Sequence, residues 1–181
     1  MVGLWIFIMA IVLVGQRLVE LSIAKKNRTW ALAAGAQEFG ERHYPLFFIL
    51  HIGWLIGWIA EGSLYSNNLS ALWYLWLGLF VLAQGLRYWC ITSLGRFWNT
   101  RILVIPGRAL ISKGPYQYLK HPNYVAVAIE LIAVPLIFDA AITAMVATLC
   151  NAGLILGIRI PLEEQSLRET IREQKNSLEG Q

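Results

Sequence analysis

The side chains best suited to chemistry lie in the second half of the chain, in two short segments separated by apolar sequence. The first segment, Gly114–Tyr124, reads GPYQYLKHPNY and places a histidine directly before a proline. Proline is favoured at the first position of a helix, so His121-Pro122 predicts a helix start. The free amide groups of such a start can bind a carboxylate or a phosphate. In the alternative interpretation, His121 only caps the helix at the membrane interface.

The second segment, Arg159–Glu164, reads RIPLEE, and its proline predicts a kink or a restart of the helix. Arg159 and Glu163 lie four positions apart, so they can share one helix face. An ordinary interfacial ion pair is the alternative. Little more than Asp139 separates the two apolar stretches between the segments, which predicts a tight helical hairpin. The open ends of a hairpin lie side by side, so we expect His121, Arg159 and Glu163 to converge.

Long apolar runs must position these segments. Of the 181 residues, 57% are hydrophobic and only 14% are charged, whereas soluble globular chains carry roughly 25% charged residues. At about 1.5 Å per helical residue, the runs are long enough to cross an apolar layer about 30 Å thick. The sequence therefore predicts an all-α integral membrane protein, a single domain over residues 1–181. Its five predicted transmembrane helices cover about 2–23, 45–65, 69–92, 122–138 and 140–160.

The positive charges predict how the chain is oriented in a cell membrane. All Lys and Arg residues except Arg17 and Arg87 follow the first predicted span, lie between the third and fourth spans, or belong to the tail from Arg159. The turns at 62–68 and at Asp139 carry none. Because positive loops stay in the cytoplasm, we expect the N-terminus outside and the C-terminus and candidate site inside. The net charge of +4 is attributed to this asymmetry rather than to nucleic-acid binding.

Several polar side chains lie within the predicted spans. Ionisable groups at membrane depth are costly and face the interior of a helix bundle. Arg17 is therefore expected to pair with Glu20 along the first helix, and Arg87 with Glu130 between the third and fourth helices. A functional role for Glu130 is left open. His51 is interpreted as a hydrogen-bonded contact between helices rather than as a catalytic residue.

The two cysteines, Cys90 and Cys150, both fall in apolar runs. Neither belongs to a CxxC pair or a histidine cluster, so the sequence indicates neither a zinc site nor a disulfide framework. Both are predicted to pack in the apolar interior, and no bound metal is expected.

Taken together, the two segments resemble the isoprenylcysteine carboxyl methyltransferases, a family of integral membrane enzymes. The family pattern is Gly-x-Tyr, then Arg-His-Pro-x-Tyr, a helical hairpin, and an arginine followed by Glu-Glu. These parts occur in order within residues 94–167, the predicted cofactor-binding half. Lys120 replaces the usual arginine, and the glycine that usually follows the tyrosine is missing. The N-terminal part, with RLVE at 17–20, is similar to the short prokaryotic members, some of which methylate alkylpyrones.

The resemblance implies a methyltransferase that uses S-adenosylmethionine at the cytoplasmic membrane face and takes a lipophilic acceptor from the bilayer. Arg159 would orient the acceptor oxygen, and Glu163 is the second predicted catalytic residue. The residues assigned to the cofactor pocket by this resemblance are Tyr116, Lys120, His121, Pro122, Tyr124, Glu163 and Glu164.

The class of acceptor and the oligomeric state are left open by the sequence. A carboxylate such as that of isoprenylcysteine has a pKa of roughly 3.3–3.7 and is ionised at neutral pH. An alkylpyrone-type enol is also acidic, so neither acceptor needs a dedicated base. Two other functions are alternatives. One is an NADPH-dependent membrane sterol or isoprenoid reductase, which shares a related C-terminal architecture. The other is a non-enzymatic protein that binds anionic lipids through its basic loop.

Overall fold

The computed structural model describes residues 2–65, 68–108 and 111–179, over which the apolar runs form helices. Ser66 and Asn67, within the predicted turn at 62–68, lie outside the described residues, as do the last two residues of the tail. The main elements in chain order are α1 (Val2–Ala33), β1 (Gln37–Phe39), α2 (Tyr44–Tyr65), α3 (Trp73–Leu94), β2 (Ile102–Val104), α4 (Pro122–Ile137), α5 (Ala141–Leu154) and α6 (Ile160–Glu179).

Most of these helices fit a membrane environment. Among the described residues, four helical segments are long and apolar enough to cross a membrane: Val2–Ala33, Glu41–Tyr65, Trp73–Phe97 and Ala141–Thr170. The remaining predicted span forms α4, which has 16 residues. A helix of that length measures about 24 Å, less than the apolar layer of about 30 Å. The count of five spans therefore stays a prediction, whereas a helical membrane protein is confirmed.

Helix α4 packs against α3 and forms a hairpin with α5, while α2 packs against α5; the turn before α3 and the turn between α4 and α5 lie at the same end of the bundle. The backbone amide of Ser70 donates to the Ile137 carbonyl at 3.0 Å, which joins the two turns. A Cβ added to Gly62 would lie 3.0 Å from the Phe138 Cβ, so glycine permits this close approach. Asp139 reverses the chain with a φ of 55°. The predicted tight hairpin around Asp139 is therefore present.

Aromatic side chains fill the interior near these turns. Trp58 and Phe138 are buried and stack with their ring centroids 5.2 Å apart. Trp54 is also buried, and its indole N–H donates to the Leu131 carbonyl at 3.1 Å. Tryptophan supplies a large apolar surface and still satisfies its one donor, which suits it to this position. The aromatic layer fixes α2 against α4 and leaves the polar residues to the opposite half of the bundle.

Several boundaries differ from the sequence-based expectations. Helix α1 ends at Ala33, ten residues after the predicted end near 23. Hydrogen bonds from Asn27 to the segment after α3 stabilise its polar last turns. The Asn27 amide donates to the Gly95 carbonyl at 3.1 Å and to the Trp98 carbonyl at 2.7 Å. Helix α3 begins at Trp73 rather than at 69, because the preceding residues form a turn in which the Trp73 amide donates to the Ser70 carbonyl.

One addition and one correction remain. The helical fold class is confirmed, with the addition of one short antiparallel pair, β1 and β2, in which Gln37 lies opposite Val104. Strands of three residues are too short to show an alternating pattern in the sequence. Cys90 is buried as predicted, but Cys150 is exposed on the outer face of α5, close to the exposed Leu149. An apolar run predicts apolar surroundings, but it does not show whether these are other residues of the chain or the membrane. This face of α5 is not covered by the described part of the chain.

Candidate active site

The Gly114-Pro115 turn holds the loop between α3 and α4 against α3. Gly114 has a φ of 58°, which glycine adopts without strain, and an added Cβ would lie 2.0 Å from the Ser93 Oγ. No larger residue fits there without displacing the loop. The turn brings Tyr116 next to Cys90 of α3. Burial, together with the neighbouring Cys90 thiol and Glu163 carboxylate, raises the pKa of Tyr116 above its ordinary value, so its hydroxyl keeps its proton.

The first turn of α4 carries the histidine and tyrosine of the motif. Pro122 occupies the first helical position, and no side chain caps this helix start. The His121 ring stacks on Tyr124 with centroids 5.2 Å apart and an angle of 14° between the planes. Its Nδ1 lies 3.8 Å from Glu163 Oε2, while its Nε2 is buried and has no hydrogen-bond partner among the described residues. The His121 ring is therefore available for a bound molecule and does not cap its own helix.

A π-helical turn between α5 and α6 positions the arginine. Pro161 has no amide hydrogen to continue the helical pattern, and the preceding turn at Ile155–Arg159 widens, with the Ile160 amide donating to the Ile155 carbonyl. Such turns recur at functional sites. The predicted break in the helix near Pro161 thus takes the form of one wide turn, which places Arg159 at its last position.

Arg159 and Glu163 meet at the hydroxyl group of Tyr124. The Arg159 Nε donates to this oxygen at 3.1 Å, and the hydroxyl donates to Glu163 Oε2 at 2.7 Å. A second guanidinium nitrogen donates to the Thr100 carbonyl at 3.0 Å, and the guanidinium carbon lies 5.9 Å from the centre of the Phe47 ring. The structure therefore brings together His121, Tyr124, Arg159 and Glu163. The roles of Thr100 and Phe47 had no signal in the sequence, because neither belongs to a motif.

These side chains line one end of a cavity of about 540 Å³. This volume lies within the range of about 300–1,000 Å³ that is typical of small-molecule sites. Pro122 and Glu164 are not among its lining residues: Pro122 is buried within the helix start, and Glu164 pairs with Lys120 at the surface. The assignment of each residue to a cofactor stays a prediction. The predicted site residues that do line the cavity are Tyr116, Lys120, His121, Tyr124, Arg159 and Glu163.

A closed group of four charges lies deeper in the bundle. Arg17 contacts Glu20 and Glu130 at 2.7 Å each. Arg87 contacts Glu20 at 3.2 Å and also pairs with Glu130, which in addition accepts from the Gln84 amide at 3.1 Å. Both predicted pairs are therefore present, and each arginine binds both carboxylates. The quartet is neutral overall, which lowers the cost of burying four charges.

A second charged cluster lies beside the cavity, near the two-stranded sheet. Glu38 of β1 pairs with Arg28 at 2.7 Å and with Arg101, whose guanidinium carbon lies 4.3 Å from the centre of the Tyr44 ring. Burial opposes the charge of Glu38, but hydrogen bonds to the two arginines outweigh it and lower the pKa of this carboxyl. Sequence reasoning missed this cluster, since its members come from separate segments without a shared motif.

Comparison with known proteins assigns the chain to a family. The sequence model of the isoprenylcysteine carboxyl methyltransferase (ICMT) family matches residues 76–169. This range contains Tyr116, His121, Tyr124, Arg159 and Glu163, and it covers more than half of the chain. The chain belongs to the ICMT family. The resemblance seen in the two motif segments is therefore confirmed, and the protein is a membrane protein of a methyltransferase family.

Two relatives match most of this ICMT-family chain. "Uncharacterized protein YpbQ" of Bacillus subtilis is 40% identical over 159 residues, which cover 87% of this chain and 94% of the relative. An "Uncharacterized protein" of Haemophilus influenzae is 28% identical over 152 residues, covering 83% and 88%, respectively. No solved structure gives a significant match. Both matches are longer than the matched family segment, so the similarity extends beyond it.

Proposed function

We propose that this protein transfers a methyl group from S-adenosylmethionine to an oxygen atom of a lipophilic acceptor. The observation that carries the proposal is the convergence of His121, Tyr124, Arg159 and Glu163 at one end of a cavity that extends into an apolar bundle. These residues come from two distant segments, and both lie within the range that matches a methyltransferase family. The exposed apolar surface of the helices supports an acceptor that arrives through the bilayer.

The residues present fit the charged end of S-adenosylmethionine. The start of α4 has no side-chain cap, so it can bind the cofactor carboxylate. The Glu163 carboxylate can bind its ammonium group, and the buried, unpartnered His121 Nε2 is free to form a hydrogen bond with the bound molecule. When bound, the cofactor supplies an electrophilic methyl group on a positively charged sulfur. The proposal places this site on the cytoplasmic side, as the positive-inside rule predicts.

The chain itself has to orient the acceptor and exclude water. Methyl transfer is an in-line displacement, so alignment of the two reactants supplies much of the rate. Arg159 is held by the Tyr124 hydroxyl and the Thr100 carbonyl, which fixes its guanidinium before an acceptor binds. A fixed guanidinium can bind an acceptor oxyanion without further reorganisation. Phe47 and the other apolar walls keep water from the reacting atoms.

The two candidate acceptor classes are an isoprenylcysteine-type carboxylate and an alkylpyrone-type enol. Both are anions near neutral pH, and Arg159 suits either one. In this proposal no side chain has to remove a proton from the acceptor. The protein acts as an orienting site for two bound molecules, with membrane lipids as its surroundings.

Calorimetric titration of the detergent-solubilised protein tests the proposal. We expect saturable binding of S-adenosylmethionine and S-adenosylhomocysteine, and a loss of that binding in His121→Ala and Glu163→Ala. Lys113→Ala is the matched control, because this exposed lysine does not line the cavity. Absence of binding by well-folded protein would refute the proposal. Saturable binding of NADPH would favour a reductase, and binding of anionic vesicles alone would favour a lipid-binding protein.

A further inference from the structure

The cavity continues inward from the candidate active site, between α2 and α5. Phe47, next to the Arg159 guanidinium, is followed one helical turn deeper by His51. On the other side, Asn151 precedes Arg159 by about two turns. At about 1.5 Å per residue, His51 lies about 6 Å deeper than Phe47, and Asn151 lies about 12 Å deeper than the backbone of Arg159. All four residues line the same cavity. A Cβ added to Gly57 would lie 3.0 Å from the Thr143 side chain, and this antiparallel register of α2 and α5 puts His51 within about 3 Å of the level of Asn151.

His51 offers this inner part of the cavity a hydrogen-bond acceptor. Its Nδ1 lies 2.7 Å from the carbonyl oxygen of Phe47. A carbonyl oxygen only accepts, so Nδ1 carries the hydrogen, and Nε2 of the neutral imidazole is left with a lone pair. No described residue forms a hydrogen bond with Nε2. This hydrogen bond stays within α2, so the predicted hydrogen bond from His51 to another helix does not form among the described residues.

Asn151 is a second unsatisfied group in the same part of the cavity. The residue is only 4% exposed, and its Oδ1 has no hydrogen-bond partner among the described residues. Leaving a buried side-chain amide without a partner is costly. An amide oxygen only accepts, so a bound group with a hydrogen to donate would satisfy it. Arg17 lines the cavity nearby, but its guanidinium is already bound by Glu20 and Glu130.

We propose that His51 and Asn151 form a second binding site, which takes a hydroxyl group of the acceptor. The hydroxyl donates its hydrogen to both acceptors, His51 Nε2 and Asn151 Oδ1, as a three-centre hydrogen bond. A carboxylate has no hydrogen to donate, so it cannot satisfy His51. The acceptor is therefore a lipophilic molecule with two polar groups, an anionic oxygen at Arg159 and a neutral hydroxyl one to two helical turns deeper. Only the description of this ligand as the methyl acceptor rests on the proposed function.

Binding of a matched pair of probes to the detergent-solubilised full chain tests the site. The probes are ω-hydroxyoctanoate and ω-methoxyoctanoate, which share a carboxylate and a chain length but differ in the distal hydrogen. We expect the hydroxyl probe to bind about tenfold more tightly, as the loss of one or two hydrogen bonds predicts. The preference should fall to about twofold or less in His51→Leu and in Asn151→Leu. Equal binding of both probes by the unaltered protein, or an unchanged preference in both variants, would overturn the proposal.

Two control variants and a separate titration make the outcome specific. Thr148→Val removes another buried, unpartnered polar atom of α5 that does not line the cavity, and His43→Gln replaces a histidine outside it. Both should keep the preference for the hydroxyl probe, and a loss in both would overturn the proposal. Titration of S-adenosylhomocysteine into the same samples tests the proposed function independently. A hydroxyl preference without nucleotide binding would refute the methyltransferase and leave this site standing, and the reverse result would refute only the site.

Discussion

Substitution of Arg87 by leucine should destabilise the protein more than any loss of an exposed charge. The Arg87 side chain is 2% exposed and binds both buried carboxylates of the quartet, Glu20 and Glu130. Its removal leaves two negative charges with Arg17 as their remaining arginine. Breaking a buried pair on one side costs about 3–5 kcal/mol. For a chain of this size, each kcal/mol lowers the melting temperature by about 2–4 °C, so we expect a decrease of about 6–20 °C.

The double variant Arg87→Leu/Glu130→Leu separates lost charge balance from lost packing. It leaves the Arg17–Glu20 pair, which is neutral and 2.7 Å apart. Replacing a buried ion pair by apolar residues is often nearly neutral, so most of the lost stability should return. As the exposed comparison, Arg28→Leu removes a side chain that is 40% exposed and should cost at most about 1 kcal/mol.

Thermal unfolding in detergent, followed through the fluorescence of the eight tryptophans, measures these four proteins side by side. We expect a large loss of stability for Arg87→Leu, a small loss for Arg28→Leu, and an intermediate or small loss for the double variant. If Arg87→Leu melted within about 2 °C of the unaltered protein, the quartet would not be a buried, charge-balanced unit. If the double variant melted lower than Arg87→Leu, charge balance would not be the reason for its stability.

Three further predictions address the site and the loop region. Arg159→Ala should lower the rate of methyl transfer at least about 10²-fold, as the loss of an oxyanion donor does, while the melting temperature stays near that of the unaltered protein. The assay follows the transfer of radiolabelled methyl groups. A near-normal rate would remove Arg159 from the mechanism. Gly114→Ala should reduce both the stability and the affinity for S-adenosylhomocysteine, because the added Cβ would collide with Ser93. Gly78→Ala is the control and should leave the affinity unchanged, because its added Cβ meets nothing within 4 Å. Equal titration curves for the two variants would contradict this prediction. The pKa of Glu38 lies below the ordinary glutamate value of 4.5 in the folded protein, so its contribution is present above that pH and is lost as the pH falls through the lower folded pKa. Melting curves between pH 6 and pH 3 should therefore show a steeper acid loss for the unaltered protein than for Glu38→Gln, and parallel curves would argue against the pairing.

The sequence predicts the elements of this fold that depend on composition and local spacing. Apolar length identifies the membrane helices, and the position of Asp139 between two runs predicts the hairpin. That hairpin brings together His121, Arg159 and Glu163, as expected. The position of Tyr124 between the last two could not be derived, because it depends on the wide helical turn before Pro161.

Contacts between distant segments were predictable only where charge made them necessary. Arg17 and Glu130 both needed partners at membrane depth, yet the sequence could not show that they bind each other across α1 and α4. The strands β1 and β2 are too short for a periodic signal. The open side of His51 depends on which helix face borders the cavity, and a helix that is apolar all round does not reveal this face.

The charge balance of the quartet has a consequence for how the protein is made. Arg17 and Glu20 lie three positions apart on α1 and can pair as soon as that helix forms, whereas Arg87 is synthesised 43 residues before Glu130. At about 5–20 residues per second, the ribosome needs about 2–9 s to bridge that gap. Throughout this interval Glu20 is the one quartet carboxylate available to Arg87. Arg87 of α3 can therefore pair first with Glu20 of α1, and Glu130 can join only after α4 has been synthesised. The positions of the four charged residues in the chain thus set the order in which their ion pairs can form.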